Sequence, residues 1–320
     1  MNSEQRAVLE VITMGRVGVD LYPLQAGPLE DVTTFGKFLG GSATNVAVAA
    51  ARLSATAAVI TRVGADPFGR YVRRALRELG VDDRFVREVA HLPTPVTFCE
   101  MFPPDHFPIY FYRFPKAPDL EIDAAELDLA AISAVPVFWC TVTGLSDEPS
   151  RAAHHAALSV RARRPMTVLD LDYRPSFWPS PAAARAEIAA VLEGVSVVVG
   201  NREECAVATG ESDPDAAAEA LLSAGVELVI VKGGPAGVLG RTQRERVEVL
   251  PRPIEVVNGL GAGDAFGGAL CRGLLSGWSL EQTLSFANAA GAIVASRLEC
   301  STAMPTLAEV NEELGEMRSV

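Results

Sequence analysis

Short apolar runs rich in β-branched residues recur along the chain and alternate with longer stretches of helical character. The predicted strands are Val8–Met14, Ala57–Val63, Pro136–Thr141, Met166–Leu171, Val195–Val199 and Leu228–Lys232. The predicted helices between them are Ser42–Leu53, 66–80, 148–163, 182–192 and 213–224. Because each strand is continuously apolar, both of its faces should be buried, as in a parallel sheet covered by helices on either side. The pattern therefore predicts an α/β fold.

The C-terminal third departs from this alternation. Three short apolar runs, Val238–Gly240, Val247–Leu250 and Ile254–Val257, follow one another with short connections. Such spacing leaves no room for crossover helices, so we expect an antiparallel edge on the main sheet. Further helices are predicted at 262–276, 279–296 and 306–318.

Two segments, about 19–38 and 94–114, have strand-like alternation but no helix of their own. We expect them to form a small sheet above the carboxyl ends of the main strands, where ligands bind in open α/β folds. That sheet would be a lid within a single domain spanning residues 1–320. Decorated surface loops are the alternative, but structureless loops of about 20 residues are uncommon in compact domains.

Residues 258–269, NGLGAGDAFGGA, join a glycine-rich turn to the start of an apolar helix. The glycines allow a tight turn whose backbone N–H groups point at one spot. The helix start adds unpaired N–H groups and the positive end of its dipole, which together predict an anion site at Gly261, Ala262 and Gly263. Asp264 would repel a phosphate there, so we interpret it as a base that deprotonates an attacking hydroxyl.

Two other interpretations of this loop are open. Asp264 could simply cap the helix, a role that Asp often fills. The glycines also resemble a dinucleotide fingerprint, which would indicate an NAD-dependent oxidoreductase. That fingerprint, however, belongs to an early βαβ unit with an acidic residue about 20 positions later. Here the loop lies near the C-terminus, which disfavours it.

Polar residues elsewhere fall where the predicted strands end. Gly40 and Gly41 permit close approach of the backbone to a ligand, and Asn45 would lie one turn into the following helix. The run DLDYR at 170–174 ends a core strand and offers Asp172 and Arg174 for substrate contact, as does Asp20 after the first strand. A loose helix start is the alternative for the two glycines.

Two further motifs suit a nucleotide and its metal. Asn201 and Glu204 are three apart at a helix start, and an amide oxygen plus a carboxylate suits a hydrated Mg²⁺. The same pair could equally form a capping box. The glycine turn KGGPAG at 232–237 could form a wall for a nucleotide or be an ordinary hairpin turn.

Composition limits the partners. The net charge of −12 disfavours nucleic acid and anionic membranes, so positive groups for an anionic ligand must be concentrated at the site. The cysteines indicate the compartment. Five scattered cysteines without a CxxC motif indicate reduced thiols in a cytoplasmic protein. The N-terminus lacks a signal-peptide pattern. His154 and His155 show no metal-binding spacing and receive no role.

Taken in order, GGSATN at 40–45, NREE at 201–204, KGGPAG at 232–237 and GLGAGDAFGGA at 259–269 resemble the ribokinase-like sugar kinases, the phosphofructokinase B group, over nearly the whole chain. The resemblance implies a ribokinase-like fold, ATP as phosphoryl donor and Asp264 as the base beside an anion hole. It further implies water-mediated binding of Mg²⁺ by Asn201 and Glu204. Nucleotide contacts are implied for Asn201, Lys232, Gly234, Gly237 and Asn288.

The resemblance also implies a sugar site and narrows its ligand to a sugar acid, with kinases of 2-keto-3-deoxygluconate as an alternative within the group. The implied substrate residues are Asp20, Gly40, Gly41, Asn45, Arg113, Asp172 and Arg174. Non-catalytic sugar binding is a further alternative. Asn258-Gly259 replaces the Asp-Thr common in the family, where the Asp helps bind a monovalent cation, so dependence on such an ion is left open. Apolar residues of the lid, such as Phe98 and Phe111, predict a dimer or larger homo-oligomer.

Overall fold

The computed structural model describes residues 8–104, 106–164 and 166–316. The strands are β1 (Val11–Met14), β2 (Gly18–Pro23), β3 (Phe35–Gly40), β4 (Ala57–Gly64), β5 (Val81–Asp82), β6 (Val86–Val89), β7 (Val96–Cys99), β8 (Ile109–Tyr112), β9 (Val137–Thr141), β10 (Thr167–Asp170), β11 (Val197–Asn201), β12 (Leu228–Lys232), β13 (Val238–Arg241) and β14 (Arg246–Val249). The helices are α1 (Ser42–Arg52), α2 (Pro67–Glu78), α3 (Leu129–Ala134), α4 (Ser150–Arg161), α5 (Pro181–Val191), α6 (Arg202–Thr209), α7 (Pro214–Ser223), α8 (Ala262–Ser276), α9 (Leu280–Ala295) and α10 (Leu307–Glu316).

The main sheet has the order β14-β13-β12-β11-β10-β9-β1-β4-β5, with β6 also paired to β4. Its strands are parallel from β12 through β5, and β13 and β14 add an antiparallel edge. The α/β prediction is therefore confirmed. Strand β1 pairs with β4 on one side and β9 on the other. The chain first adds strands on the β4 side of β1 and then, from β9 onward, on the opposite side, so the strand order reverses at β1. In open α/β sheets, ligands bind at the carboxyl ends of the strands beside such a reversal.

Both faces of the main sheet are covered by apolar helices, and two hydrophobic clusters fill the space on either side. Alternate residues of one strand point to opposite faces, so Val11 belongs to one cluster and Ile12 to the other. Helices α1 and α8 pack closely because Gly268 has no side chain. A Cβ there would lie 2.3 Å from the Cβ of Ala49, which is closer than two carbons can approach.

The segments 19–38 and 94–114 supply the strands of a second sheet, with the order β3-β2-β7-β8. Strands β2 and β7 are parallel, whereas β3 and β8 are antiparallel to their neighbours. Side chains alternate between its faces. Register places Asp20 beside Thr97 and Thr97 beside Phe111, so these three share one face. We call it the inner face because Phe111 packs against Phe177 of the main body.

One predicted strand is wrong. Residues 254–257 form no strand, although β13 and β14 before them pair as expected. Pro251 and Pro253 each lack the N–H that a ladder requires. The Val257 N–H donates instead to the carbonyl of Ala295 at 2.9 Å. Other predicted elements differ from the structure by a few residues at their ends, and residues 317 and 318 of the last predicted helix lie outside the described residues.

Candidate active site

The carboxyl ends of β1, β9, β10, β11 and β12 meet the starts of α1 and α8 along one edge of the main sheet. The inner face of the second sheet contributes to the same region, because Asp20 and Asp264 interact electrostatically. The edge therefore gathers most of the polar residues singled out in the sequence. We refer to it below as the cleft.

Asp264 lies in the first turn of α8 and is held by the first turn of α1. Its Oδ1 accepts a hydrogen bond from the Ser42 hydroxyl at 2.9 Å, and its Oδ2 accepts one from the Asn45 amide at 2.7 Å. The Asn45 Oδ1 is in turn bonded by the Ser301 hydroxyl at 2.5 Å, which fixes the orientation of the amide. Burial raises the pKa of Asp264, while the bonds from Asn45 and Ser42 oppose that rise. The result is an oriented, desolvated carboxylate suited to accept a proton.

The glycine loop before Asp264 has the conformation that its sequence requires. Gly261 precedes α8 with φ +83°, in the left-handed region, and a Cβ there would lie 2.7 Å from the Cys300 sulfur. A Cβ at Gly263 would lie 3.2 Å from the Lys232 Nζ, so the ammonium borders the helix start. The N–H groups at the start of α8 thus have a cation beside them, a combination that favours anions.

A network of buried charged groups surrounds this cation. Burial disfavours the charged form of Lys232, but Asp170, Glu204 and Asp264 outweigh it and raise its pKa. Burial raises the pKa of Asp170 to about 8, with Lys232 opposing the rise and Asp172 adding to it. The charge of Lys232 and the charge of Asp170 therefore stabilise each other against burial.

Asn201 and Glu204 form a capping box at the start of α6. The Asn201 Oδ1 accepts from the Glu204 N–H at 2.9 Å, and the Glu204 Oε2 accepts from the Asn201 N–H at 2.7 Å. The capping-box interpretation of this motif is therefore confirmed, and the alternative was binding of hydrated Mg²⁺. It does not exclude the other, because each carboxylate oxygen has more than one lone pair. In the described part of the chain, no three His, Cys, Asp or Glu side chains gather in a way that could hold a metal ion.

Two arginines share one buried carboxylate at the carboxyl end of β10. The Asp172 Oδ2 lies 2.6 Å from the Arg16 Nη2, and its Oδ1 lies 2.6 Å from the Arg174 Nη2. Burial opposes ionisation of Asp172, but the two guanidiniums outweigh it and hold its pKa below the ordinary value. Asp172 also has φ +21°, an uncommon backbone conformation for a residue other than glycine.

Arg113, the other predicted substrate arginine, has its own acidic partner. Its Nη2 lies 2.7 Å from the Asp119 Oδ2, and both side chains are buried. The guanidinium also lies over the Phe177 ring, 5.0 Å from its centroid. Arg113 therefore borders the ring that packs against the inner face, and its charge is already neutralised.

Asp20 is buried on the inner face, where burial raises its pKa to about 6. Its Oδ2 accepts a hydrogen bond from the Tyr22 hydroxyl at 2.8 Å, which opposes that rise. A Cβ at Gly40 would lie 2.1 Å from the Asp20 Oδ1, so only glycine leaves space for this carboxylate. Gly41 has φ +100° and abuts the backbone of Arg16, where a side chain would collide with the carbonyl oxygen.

The remaining residues singled out in the sequence belong to the turn after β12, to helix α9 and to the loop before α8. Gly234 and Gly237 both adopt positive φ in the turn after β12. Asn288 lies on α9 and donates to the Leu250 carbonyl at 2.9 Å. The fully buried Asn258 donates to the Leu298 carbonyl at 2.7 Å and accepts from the Leu260 N–H at 3.0 Å, so its amide stabilises the loop itself.

Three site residues were not singled out from the sequence. Arg16 lies two residues after the end of β1, and its charge interrupts an otherwise apolar run, which is the only sequence signal it carries. Ser42 lies inside a recognised motif, but only the structure shows that its hydroxyl reaches Asp264. Tyr22 carries no sequence signal, because tyrosine is common in strands.

Comparisons with known proteins identify the family to which this fold and cleft belong. A profile of the pfkB family carbohydrate kinases matches residues 9–307. The chain is 37% identical over 314 residues to 5-dehydro-2-deoxygluconokinase of Photobacterium profundum, and the match covers 95% of this chain and 94% of the relative. It is 32% identical over 311 residues to the protein of the same name from Shouchella clausii, with 94% of each covered.

Among solved structures, a candidate ribokinase II from E. coli in complex with ATP and Mg²⁺ has a TM-score of 0.88 at 24% identity, over 96% of this chain and 99% of that one. This likeness concerns the fold. The chain belongs to the pfkB family of carbohydrate kinases. It is a phosphotransferase with an alcohol group as acceptor. Within residues 8–104, 106–164 and 166–316, the helices include none that is long and apolar enough to cross a membrane.

Proposed function

We propose that the protein uses ATP to phosphorylate the terminal hydroxyl of 5-dehydro-2-deoxygluconate, giving the 6-phosphate and ADP. The observation that carries the chemistry is the double anchoring of Asp264 by Ser42 and Asn45 at the start of α8. In the proposed step, Asp264 accepts the proton of the hydroxyl. The oxygen forms a bond to the γ-phosphorus as the bond between that phosphorus and the β,γ-bridging oxygen breaks, and ADP leaves.

The start of α8 would stabilise the transferring phosphoryl group. Backbone N–H groups at Gly261, Ala262 and Gly263 would donate to its oxygens, and the Lys232 ammonium would neutralise charge nearby. These donors are fixed before the reaction, so no reorganisation is required in the transition state. We call this part of the cleft, together with Asp264, the phosphoryl end.

ATP and a divalent cation follow from membership of the kinase family, and the residues present fit them. We propose that Asn201 and Glu204 orient hydrated Mg²⁺ through water, and that the turn containing Gly234 and Gly237 borders the nucleotide. Asn288 would lie at its margin. The fit rests on donor chemistry, because amide and carboxylate oxygens are the ligands that Mg²⁺ prefers. When bound, the ion would neutralise phosphate charge.

The sugar would bind between the carboxyl end of β10 and the inner face of the second sheet, which we propose acts as a lid. Asp20 and Asn45 offer acceptors and donors for hydroxyls, and Gly40 and Gly41 allow close approach. Arg174 would bind the substrate carboxylate. Arg113 would support the same pocket through the Phe177 ring. We call this region, with Asp172, the sugar end of the cleft.

The particular sugar acid is inferred from the names of the relatives that match over nearly the full chain. The deciding experiment measures ADP formation from ATP and Mg²⁺ across sugar acids and neutral sugars. Activity confined to 5-dehydro-2-deoxygluconate supports the proposal, whereas a preference for 2-keto-3-deoxygluconate would replace it with the alternative. Turnover of neither acid would contradict a sugar-acid kinase.

We further propose that the protein is a homo-oligomer of the cytoplasm. The outer face of the second sheet exposes aromatic side chains, namely Phe35, Tyr110 and Tyr112, next to the exposed Phe114. An aromatic surface of this kind is typical of an interaction surface. All five cysteines are unpaired and buried, which suits a reducing compartment. A monomer in sedimentation at micromolar concentration would contradict the oligomer.

A further inference from the structure

We propose that Arg16 is the second arginine of a clamp that, with Arg174, binds the carboxylate of the substrate and so determines selectivity for a sugar acid. Asp172 would hold the two guanidiniums in position. This inference rests on the proposed function and adds a specificity-determining residue to it.

The location of Arg16 fits this role. It follows β1, the strand at which the chain reverses across the sheet, and its Nε donates to the Thr143 hydroxyl, 3.3 Å away, just beyond the end of β9. The side chain therefore bridges the crevice between β1 and β9. A ligand bound at such a reversal would meet this guanidinium directly.

The direct ion pairs at the site leave room for a further anion. Asp172 is one ionised carboxylate shared by two guanidiniums, so the three side chains together have a net charge of +1. Other acids act on the arginines without a direct ion pair, namely Asp20 on Arg16, and Glu204 and Asp264 on Arg174. Asp172 and Arg16 are buried, so a directly bonded partner for the second guanidinium would be favourable. A substrate carboxylate would bring the group to two acids and two arginines.

Donors remain available for that carboxylate. The Arg174 Nε is buried and has no hydrogen-bond partner among the residues that the structure describes. The Arg16 Nη1 likewise makes no hydrogen bond within residues 8–104, 106–164 and 166–316, since Nε and Nη2 account for its bonds. Carboxylates bind well to two such planar groups, because each guanidinium presents paired N–H donors.

The lid is placed to orient Arg16. The Arg16 guanidinium lies 5.5 Å from the ring centroid of Phe111 on the inner face and 5.9 Å from the ring centroid of Phe177. Contacts with both rings restrict the guanidinium and reduce its exposure to water. A buried, oriented guanidinium binds an anion more strongly than a solvated one.

Arg113 provides an internal contrast. It too borders Phe177 and lies beside a buried carboxylate, but it is paired one to one with Asp119 and leaves no excess charge. The two arginines are thus similar in surroundings and different in charge balance. Arg16, rather than Arg113, would therefore be the partner of Arg174 in binding the acid.

The test compares kcat/KM for 5-dehydro-2-deoxygluconate with kcat/KM for its analogue in which the C1 carboxylate is reduced to an alcohol. The analogue keeps the terminal hydroxyl that is phosphorylated. For Arg16→Gln we expect the acid-to-alcohol ratio to fall about 10- to 100-fold, the loss typical of a hydrogen bond to a charged group. An unchanged ratio, or an equal fall for both substrates, would overturn the proposal.

A second pair of variants covers the case in which Arg16→Gln fails to fold. Arg16→Lys and Arg113→Lys both keep the positive charge and lose the planar fork. We expect the ratio to fall several-fold for Arg16→Lys and to change less than about twofold for Arg113→Lys. Equal changes in the two ratios would overturn the proposal. So would a wild-type enzyme with no preference for the acid over the alcohol.

These outcomes separate this inference from the proposed function. A wild-type enzyme that phosphorylates neither compound contradicts the proposed substrate. If the wild-type enzyme strongly prefers the acid, and the Arg16→Gln and Arg16→Lys variants keep that preference, the proposed substrate stands. The same result would show that Arg16 does not recognise the substrate carboxylate.

Discussion

The phosphoryl end and the sugar end of the cleft are built from different parts of the chain. The phosphoryl end consists mainly of backbone at the start of α8, with one carboxylate held by two side chains of α1. The sugar end includes long charged side chains that follow β1 and β10, with Arg16 and Arg174 both paired to Asp172. Backbone donors serve any phosphoryl group, whereas a side-chain cluster can be changed to suit another sugar. We therefore expect substitutions at the first end to lower kcat and those at the second to change selectivity.

The largest effect is expected for Asp264→Asn. Loss of the proposed base should lower kcat about 10²- to 10⁴-fold, while the dissociation constant of the sugar acid changes little. Coupled ADP release and calorimetric titration measure the two quantities. Near-normal turnover would remove Asp264 as the base. In the wild type, activity should fall as pH decreases through the pKa of Asp264, which burial raises from the ordinary value of an aspartate.

Arg174→Ala should act mainly on selectivity. Loss of charge-assisted hydrogen bonds should raise KM for the sugar acid about 10- to 100-fold, because such bonds contribute about 1.5–3 kcal/mol. The KM for a neutral sugar such as ribose should rise far less. Initial rates with both substrates provide the comparison. Equal increases would show that Arg174 does not recognise a carboxylate, and the contrast between the two ends would weaken.

Gly261→Ala tests the backbone of the phosphoryl end. The substitution forces φ +83° on a residue with a Cβ, and that Cβ would collide with Cys300. Strain of this kind costs about 1–3 kcal/mol, so the free energy of unfolding should fall by that amount and kcat should fall with it. Chemical denaturation measures the first quantity. Gly277→Ala is a matched control at φ +63°, with nothing within 4 Å of the added Cβ. It should lose some stability and keep its kcat.

The smallest effect is expected for Tyr22→Phe. The Tyr22 hydroxyl lowers the pKa of Asp20, which burial raises to about 6, so its removal should shift that pKa upward. Arg16, Asp264 and Thr97 also act on this carboxyl and remain in the variant. If ionised Asp20 binds the sugar, kcat/KM falls as pH decreases through about 6, and the fall should begin at higher pH in the variant. A profile identical to that of the wild type would exclude Asp20 as the titrating group.

The same contrast explains what could be predicted from the sequence. The main sheet was predictable because a strand buried on both faces must be continuously apolar, as Val197–Val199 and Val229–Val231 are. The glycine loop was predictable because its backbone conformation demands particular residues. The strand predicted at residues 254–257 was wrong because the prediction rested on their apolar side chains and ignored the two prolines just before them, Pro251 and Pro253.

The sugar end was harder to predict because its contacts join residues far apart in the chain. Arg16 and Asp172 are separated by 156 positions, and no local pattern reports their ion pair. Likewise, Asp119 shows no motif, although it neutralises Arg113. Which arginine is left with excess charge depends on these long-range pairings and therefore required the structure.

The glycine contact between α1 and α8 bears on attempts to engineer new substrates. Gly268 lies about one turn beyond Asp264 and sets how closely the two helices approach, and hence where Ser42 and Asn45 meet the carboxylate. Random libraries that include this position would mostly yield inactive clones, although it lies among buried residues away from the sugar. Libraries confined to the inner face of the lid and to the residues after β10 would leave the transfer machinery intact while sampling other acceptors.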